Sequence, residues 1–197
     1  MKKKSKINKK PLPSKKPLIL FFIFLSVIFL VIGYYTFRTT KKEVTVLEGL
    51  SYENTDKIRI ENQLKTITQG YPIERMLPFI LEKDPRVIAF LVSIAKKESN
   101  LGKRAPKLNG QDCFNYWGFR AQRDRMGSGG HTCFDTPEDA VDTVSARIED
   151  LINKNIDTPA EMIVWKCGSS CAGHNPSSVS KWINDVRLYF NKAYPKI

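Results

Sequence analysis

The chain has 197 residues, 32 of them basic and 20 acidic, for a formal net charge of +12. That length holds one ordinary domain with something added. The charge is not a nucleic-acid signal: residues 1–42 contain ten lysines, one arginine and no acid, which leaves only +1 for residues 43–197, too small an excess to grip a polyanion.

The lysines of the tail precede an uncharged apolar run from Leu18 to Tyr35. As a helix these residues extend about 27 Å, enough to cross the hydrocarbon core of a bilayer. A cleaved signal peptide is the rival reading. The run exceeds the usual apolar length of about 7 to 15 residues, and no small-x-small cleavage site follows it, so an uncleaved anchor is expected. Lysines on one flank and Tyr34 and Tyr35 on the other orient it, with the tail in the cytoplasm and the rest outside the cell membrane. The tail also suits anionic lipid headgroups. The expected divisions are a cytoplasmic lysine-rich tail over 1–16, a transmembrane anchor over 17–37, a stalk and lead-in helix over 38–71, and a folded domain over 72–197.

Within the stalk, Val44-Thr45-Val46-Leu47 is a short β-like patch. Ile60, Leu64 and Ile67 then mark a helix over 55–69 that stops at Gly70, and Ile73, Met76, Leu77, Ile80 and Leu81 mark a second over 72–83, bent or shortened by Pro78. The stretch from Asp84 to Gly102 has the clearest helical punctuation. Asp84 caps it, Pro85 suits its first turn and Gly102 lies just past its end. Val87, Leu91, Ile94 and Glu98 follow at spacings of four, three and four, which puts Glu98 on the apolar stripe, while Lys96 and Lys97 fall off it. A carboxyl there loses hydration, which raises its pKa and suits a general acid. The alternative is an exposed Glu at a fraying end, paired with a lysine.

Residues 103–135 lack helical periodicity and are rich in glycine, aromatic and basic residues, the character of a functional lobe. Tyr116–Arg123 and His131–Phe134 are expected to pair as a hairpin around Gly127-Ser128-Gly129-Gly130. His131, in that turn, reads as a surface residue. Four cysteines, Cys113, Cys133, Cys167 and Cys171, fall on the outward side, where oxidation favours two disulfides. Local pairing, Cys113 with Cys133 and Cys167 with Cys171, pins a loop in each case. Zinc on Cys167, Cys171 and His174 is the competing reading, at a spacing that matches no standard finger; no metal or other cofactor is expected.

Helices resume at Thr136-Pro137-Glu138-Asp139, with Val141, Val144, Ile148, Leu151 and Ile152 on one face. Thr158-Pro159-Ala160-Glu161 repeats the device before Met162, Ile163 and Trp165. The last helix starts near Asn175-Pro176 and runs to Ala193, with Val179, Trp182, Ile183, Val186, Tyr189 and Phe190 inward. Trp165 and Trp182 read as core.

Three motifs in order, Lys96–Gly102 (KKESNLG), Asn115–Phe119 (NYWGF) and Cys133–Val141 (CFDTPEDAV), give residues 72–194 a resemblance to the lysozyme-like superfamily. It is nearest the bacterial lytic transglycosylases and the endo-β-N-acetylglucosaminidase domains of cell-wall hydrolases. The resemblance implies a mainly α (α+β) domain, lysozyme-like, with a small β-hairpin lobe. It further implies that Glu98 of the Glu98-Ser99 pair is the catalytic acid and that the Asn115-x-x-Gly118 turn shapes the cleft floor. Tyr116-Trp117-Gly118-Phe119-Arg120 stands where transglycosylases often carry a Gly-Leu-Met-Gln type run, closer to the glucosaminidase form.

Substrate binding is expected from Ser99, Asn115, Tyr116, Trp117, Gly118 and Arg120, the aromatic faces meeting sugar rings while Arg120 and Arg123 meet carboxylates; the alternative is that Tyr116 and Trp117 are core and the arginines solvated. Phe119 and Phe134 read as the small core of the lobe. A second carboxylate could come from Asp112, Asp124 or Asp135, although Asp135 also suits a turn cap and Asp112 a tie within the lobe. Without one, the resemblance implies that the acetamido group or 6-hydroxyl of the substrate acts. The expected protein is a membrane-anchored enzyme that cuts peptidoglycan strands as a transglycosylase, glucosaminidase or muramidase. No nucleic-acid partner is expected, and envelope-assembly proteins are candidate partners. The alternative is a tethered glycan-binding or envelope-assembly module without catalysis.

Overall fold

The computed structural model describes the backbone of residues 16–194 and the side chains of residues 24–39 and 57–194. The chain divides into two compact units, Met1–Asn54 and Thr55–Ile197, and its described part is mainly helical with two small antiparallel sheets.

The described backbone of the first unit lies in α1 (Lys16–Thr68). Val44–Leu47, expected as a β-like patch, is helical within it: four residues of β preference do not interrupt a long helix when no strand among the described residues pairs with them. Phe24, Phe29, Leu30 and Phe37 are exposed along this helix. Among the described residues no helix is long and apolar enough to cross a membrane. The lysine-rich tail and the side chains of 17–23, on which the anchor expectation rests in part, lie outside the described residues.

The second unit is built on α3 (Pro85–Ser99). Asp84 accepts a hydrogen bond from the Arg86 amide at 2.8 Å, and Asn100 closes the other end in a left-handed conformation, which asparagine tolerates. Val87, Leu91 and Ile94 are buried, each worth about 1.5–3 kcal/mol relative to exposure. α3 packs most extensively on α6 (Pro176–Ala193) and also on α4 (Pro137–Ile152). Trp182, Val186 and Phe190 supply the inner face of α6, and Val141, Val144 and Ile148 that of α4. Thr136 caps α4 through the Asp139 amide at 3.0 Å, and Asn175 caps α6 through the Ser177 amide at 2.9 Å.

Pro78 sits in the first turn of the short α2 (Leu77–Ile80), after a 3-10 turn over Pro72–Met76. The single helix expected over 72–83 is thus broken in two, since proline suits a helix start and not its interior. After Thr158, a 3-10 turn over Glu161–Ile163 runs into α5 (Val164–Cys167).

The lobe holds β1 (Lys107–Leu108) paired with β2 (Gln111–Asp112), and β3 (Met126–Gly127) paired with β4 (His131–Thr132). The hairpin around the glycine turn is present, but its first arm is Met126–Gly127 and not Tyr116–Arg123. Residues 116–123 instead reach β4 at single points, Thr132 donating its amide to Phe119 and its hydroxyl to the Ala121 carbonyl. Disulfides join Cys113 to Cys133 and Cys167 to Cys171. With its sulfurs paired, the second cysteine couple offers no thiolates to zinc. Gly127 lies against the first bridge, where an added Cβ would stand 2.7 Å from the Cys113 sulfur.

Candidate functional site

Glu98 lies on the last turn of α3, where the stripe of Val87, Leu91 and Ile94 leaves the core. It is partly buried, and its Oε1 accepts a 2.6 Å hydrogen bond from the indole Nε1–H of Trp182. Trp182 is 1% exposed, so α6 fixes both the ring and the direction of its N–H. The indole holds one carboxylate oxygen, and the other faces Gly118, where an added Cβ would stand 3.5 Å from Oε2. Gly118 has φ +67°, a backbone region that glycine enters without penalty.

Asn115 makes that turn. Its buried amide donates to the carbonyls of Phe119 and Thr132, both at 2.8 Å, and its Oδ1 accepts from the Phe119 amide at 2.9 Å. One side chain thereby closes the 115–119 turn and binds it to β4. The turn faces a cleft of about 310 Å³ lined by Glu98, Ser99, Arg104, Asn115, Gly118 and His131, among others. Glu98 is the one carboxylate in that lining.

The other expected site residues fall into two groups. Ser99 lines the cleft but is committed to the helix end, donating to the Ala95 carbonyl at 3.1 Å and accepting from the Gly102 amide at 2.8 Å. Tyr116 and Trp117, expected to offer flat faces to sugars, are fully buried. Trp117 donates to the Leu91 carbonyl at 2.8 Å and Tyr116 to Asp112 at 2.8 Å, so Trp117 ties the turn to α3 and Tyr116 ties it to β2. Arg120 is exposed and donates to the Gly129 carbonyl at 2.8 Å. Arg123 is occupied by Asp139 at 2.7 Å and Thr143 at 2.7 Å. Burial works to raise the Asp139 carboxyl, but hydrogen bonds from Arg123 and the Asp135 amide outweigh it and hold the group below the ordinary carboxylate range.

Among the carboxylates considered as partners, Asp112 holds Tyr116 and the Phe114 amide, and Asp135 pairs with Arg125. Neither these nor Asp124 lines the cleft. Phe119 and Phe134 stack at 6.1 Å as the core of the lobe. Sequence reasoning missed the Trp182–Glu98 bond and the place of Arg104 and His131 in the cleft. Trp182 is 84 positions from Glu98, and an inward tryptophan gives no local sign of what its N–H meets. His131 turns its Nδ1 to the Ser128 carbonyl at 3.0 Å.

Larger clefts of about 510 and 640 Å³ open near Arg86 and Tyr194, about 20 Å along α3 from Glu98. There Asp84 is spent on the helix cap and Asp157 on Arg86 at 2.5 Å, so size alone does not mark a reactive site. Among the described residues no group of His, Cys, Asp and Glu could hold a metal ion. Comparison with known protein families, with curated proteins and with solved structures finds no match.

Proposed function

We propose that the chain is a membrane-anchored enzyme that cleaves the glycan backbone of peptidoglycan, with Glu98 as its general acid and base. The observation that carries this reading is a single carboxylate, held by a buried indole, at the edge of a cleft that contains no second one. In the proposed step the protonated Glu98 gives its proton to the bridging oxygen as the glycosidic bond breaks, and the leaving sugar departs as an alcohol. The electron-poor anomeric carbon is met by an oxygen of the substrate, from its acetamido group or its 6-hydroxyl. Glu98, now a carboxylate, takes a proton from the 6-hydroxyl or from a later water. The resemblance of the three motifs to lysozyme-like enzymes supports the substrate class. The exposed apolar face of α1 and the oxidised cysteines support an outward-facing protein on an anchor.

Incubating the full chain with purified peptidoglycan and weighing the products tests the proposal. Anhydro ends identify a transglycosylase and new reducing ends a hydrolase. Glu98→Gln keeps an acceptor for Trp182, so it melts like the parent while cleavage falls at least about a hundredfold. Trp182→Phe loses one hydrogen bond to the acid and slows cleavage about tenfold. The lone carboxylate also favours a second reading, a glycan-binding module without catalysis. Binding without products establishes that reading and ends the first.

A further inference from the structure

Arg104 borders two grooves. One is the Glu98 cleft; the other, of about 460 Å³, is walled by Lys96, Lys97, Lys181, Asp185 and Tyr189. The second groove has four cations in its lining and one carboxylate. Asp185 is shared between Lys97 at 2.6 Å and Lys181 at 2.9 Å. Among the described residues no carboxylate pairs with Lys96 or Arg104. The Lys96 ammonium is held instead between aromatic rings, 4.7 Å from the centre of Tyr71 and 5.2 Å from that of Tyr189. Lys103 and Lys192 flank the same rings at 4.4 and 5.2 Å. Residues 43–197 carry only +1 in total, so this face concentrates positive charge that the rest of that segment balances.

Gathered like charges repel, and the rings and the shared Asp185 offset that cost only in part, so an anion entering the groove gains more than it would at a scattered lysine. The charge stands beside the cleft and not within it, where Arg104 is the one lysine or arginine. A strand of neutral sugars needs no cations along its backbone. Its charge is carried on side branches, and a branch leaving the cleft past Arg104 enters this groove.

We infer that the groove of Lys96, Lys97 and Lys181 binds the carboxylates of the peptide stems carried by the glycan strand in the Glu98 cleft. This rests on the reading of that cleft as a glycan site. The test is co-sedimentation of the full chain with peptidoglycan freed of phosphate-bearing polymers, either intact or with its stems removed by an amidase and the lactyl carboxylates that this frees capped as methylamides. The parent binds the intact material at least tenfold more tightly, with a preference that shrinks as salt is added. The Lys96→Gln, Lys181→Gln double variant binds both materials as weakly as the parent binds stripped strands. Equal affinity of the parent for both materials overturns the inference, as do a preference that survives in the variant, a preference seen only when phosphate polymers are retained, and no binding at all. Stem preference without cleavage sinks the catalytic reading and leaves the groove assignment standing, whereas cleavage without stem preference does the reverse.

Discussion

Tyr116 ties the cleft floor to the lobe through Asp112, and burial followed by the hydrogen bond to that anion raises the phenol above its usual pKa near 10. The folded protein therefore keeps this proton at pH values where the unfolded chain has lost it. Stability is fully present below pH 10 and falls as pH rises above it. Tyr116→Phe should flatten that alkaline decline and cost about 1–3 kcal/mol at neutral pH, as read from denaturant unfolding at several pH values. An unchanged alkaline limb in the variant would place the titrating group elsewhere. At this scale the sequence was informative where chemistry is local. The inward placement of Glu98 followed from the spacing of its own helix, and the turn from Asn115 to Gly118 from a four-residue motif. Tyr116 and Trp117 stood open between sugar platform and core, because their own stretch does not show what covers them; the partner that fixes Trp117 in the core is Leu91 of α3, 26 positions earlier.

Helix boundaries were most legible where the start carries its own acceptor side chain: Asp84, Thr136 and Asn175 accept an amide hydrogen bond at the starts of α3, α4 and α6, whereas the short α2 and α5 have no such cap. Strand pairing was not legible to the same degree. Two-residue strands have no alternation to read, and the arm opposite β4 is set by where the Cys113–Cys133 bridge and Asn115 hold the chain. The bridge closes a loop of sequence separation 20 and the other closes one of separation 4. Chain-entropy arguments assign them about 3 and about 2 kcal/mol. Replacing Cys113 and Cys133 together by alanine should therefore lower unfolding free energy more than replacing Cys167 and Cys171. Urea titrations of the two double variants decide it, and the opposite order would mean that the lobe does not depend on its bridge.

For the whole molecule, the uneven charge divides the work between regions. Eleven positive charges precede residue 43 with no acid among them, and apolar side chains stand exposed on α1 from Phe24 to Phe37. A chain held to a bilayer only by lysines comes off in high salt, because those contacts are screened within about 10 Å or less. A chain held by a spanning helix does not. The full protein should stay with the membrane fraction through both high salt and alkaline carbonate washing. Release by carbonate would reduce the apolar run to a peripheral contact. The apolar run was legible as composition, whereas the neighbouring grooves of the second unit emerge only once α3, α6 and the lobe are brought together.

The three tryptophans of the chain spend their N–H groups differently. Trp117 and Trp165 donate to backbone carbonyls, and Trp182 alone donates to an ionisable side chain. The protein thus carries an intrinsic optical reporter. Emission from Trp182 should therefore shift when a ligand competes for the Glu98 oxygen, against a background from two indoles whose partners are backbone carbonyls.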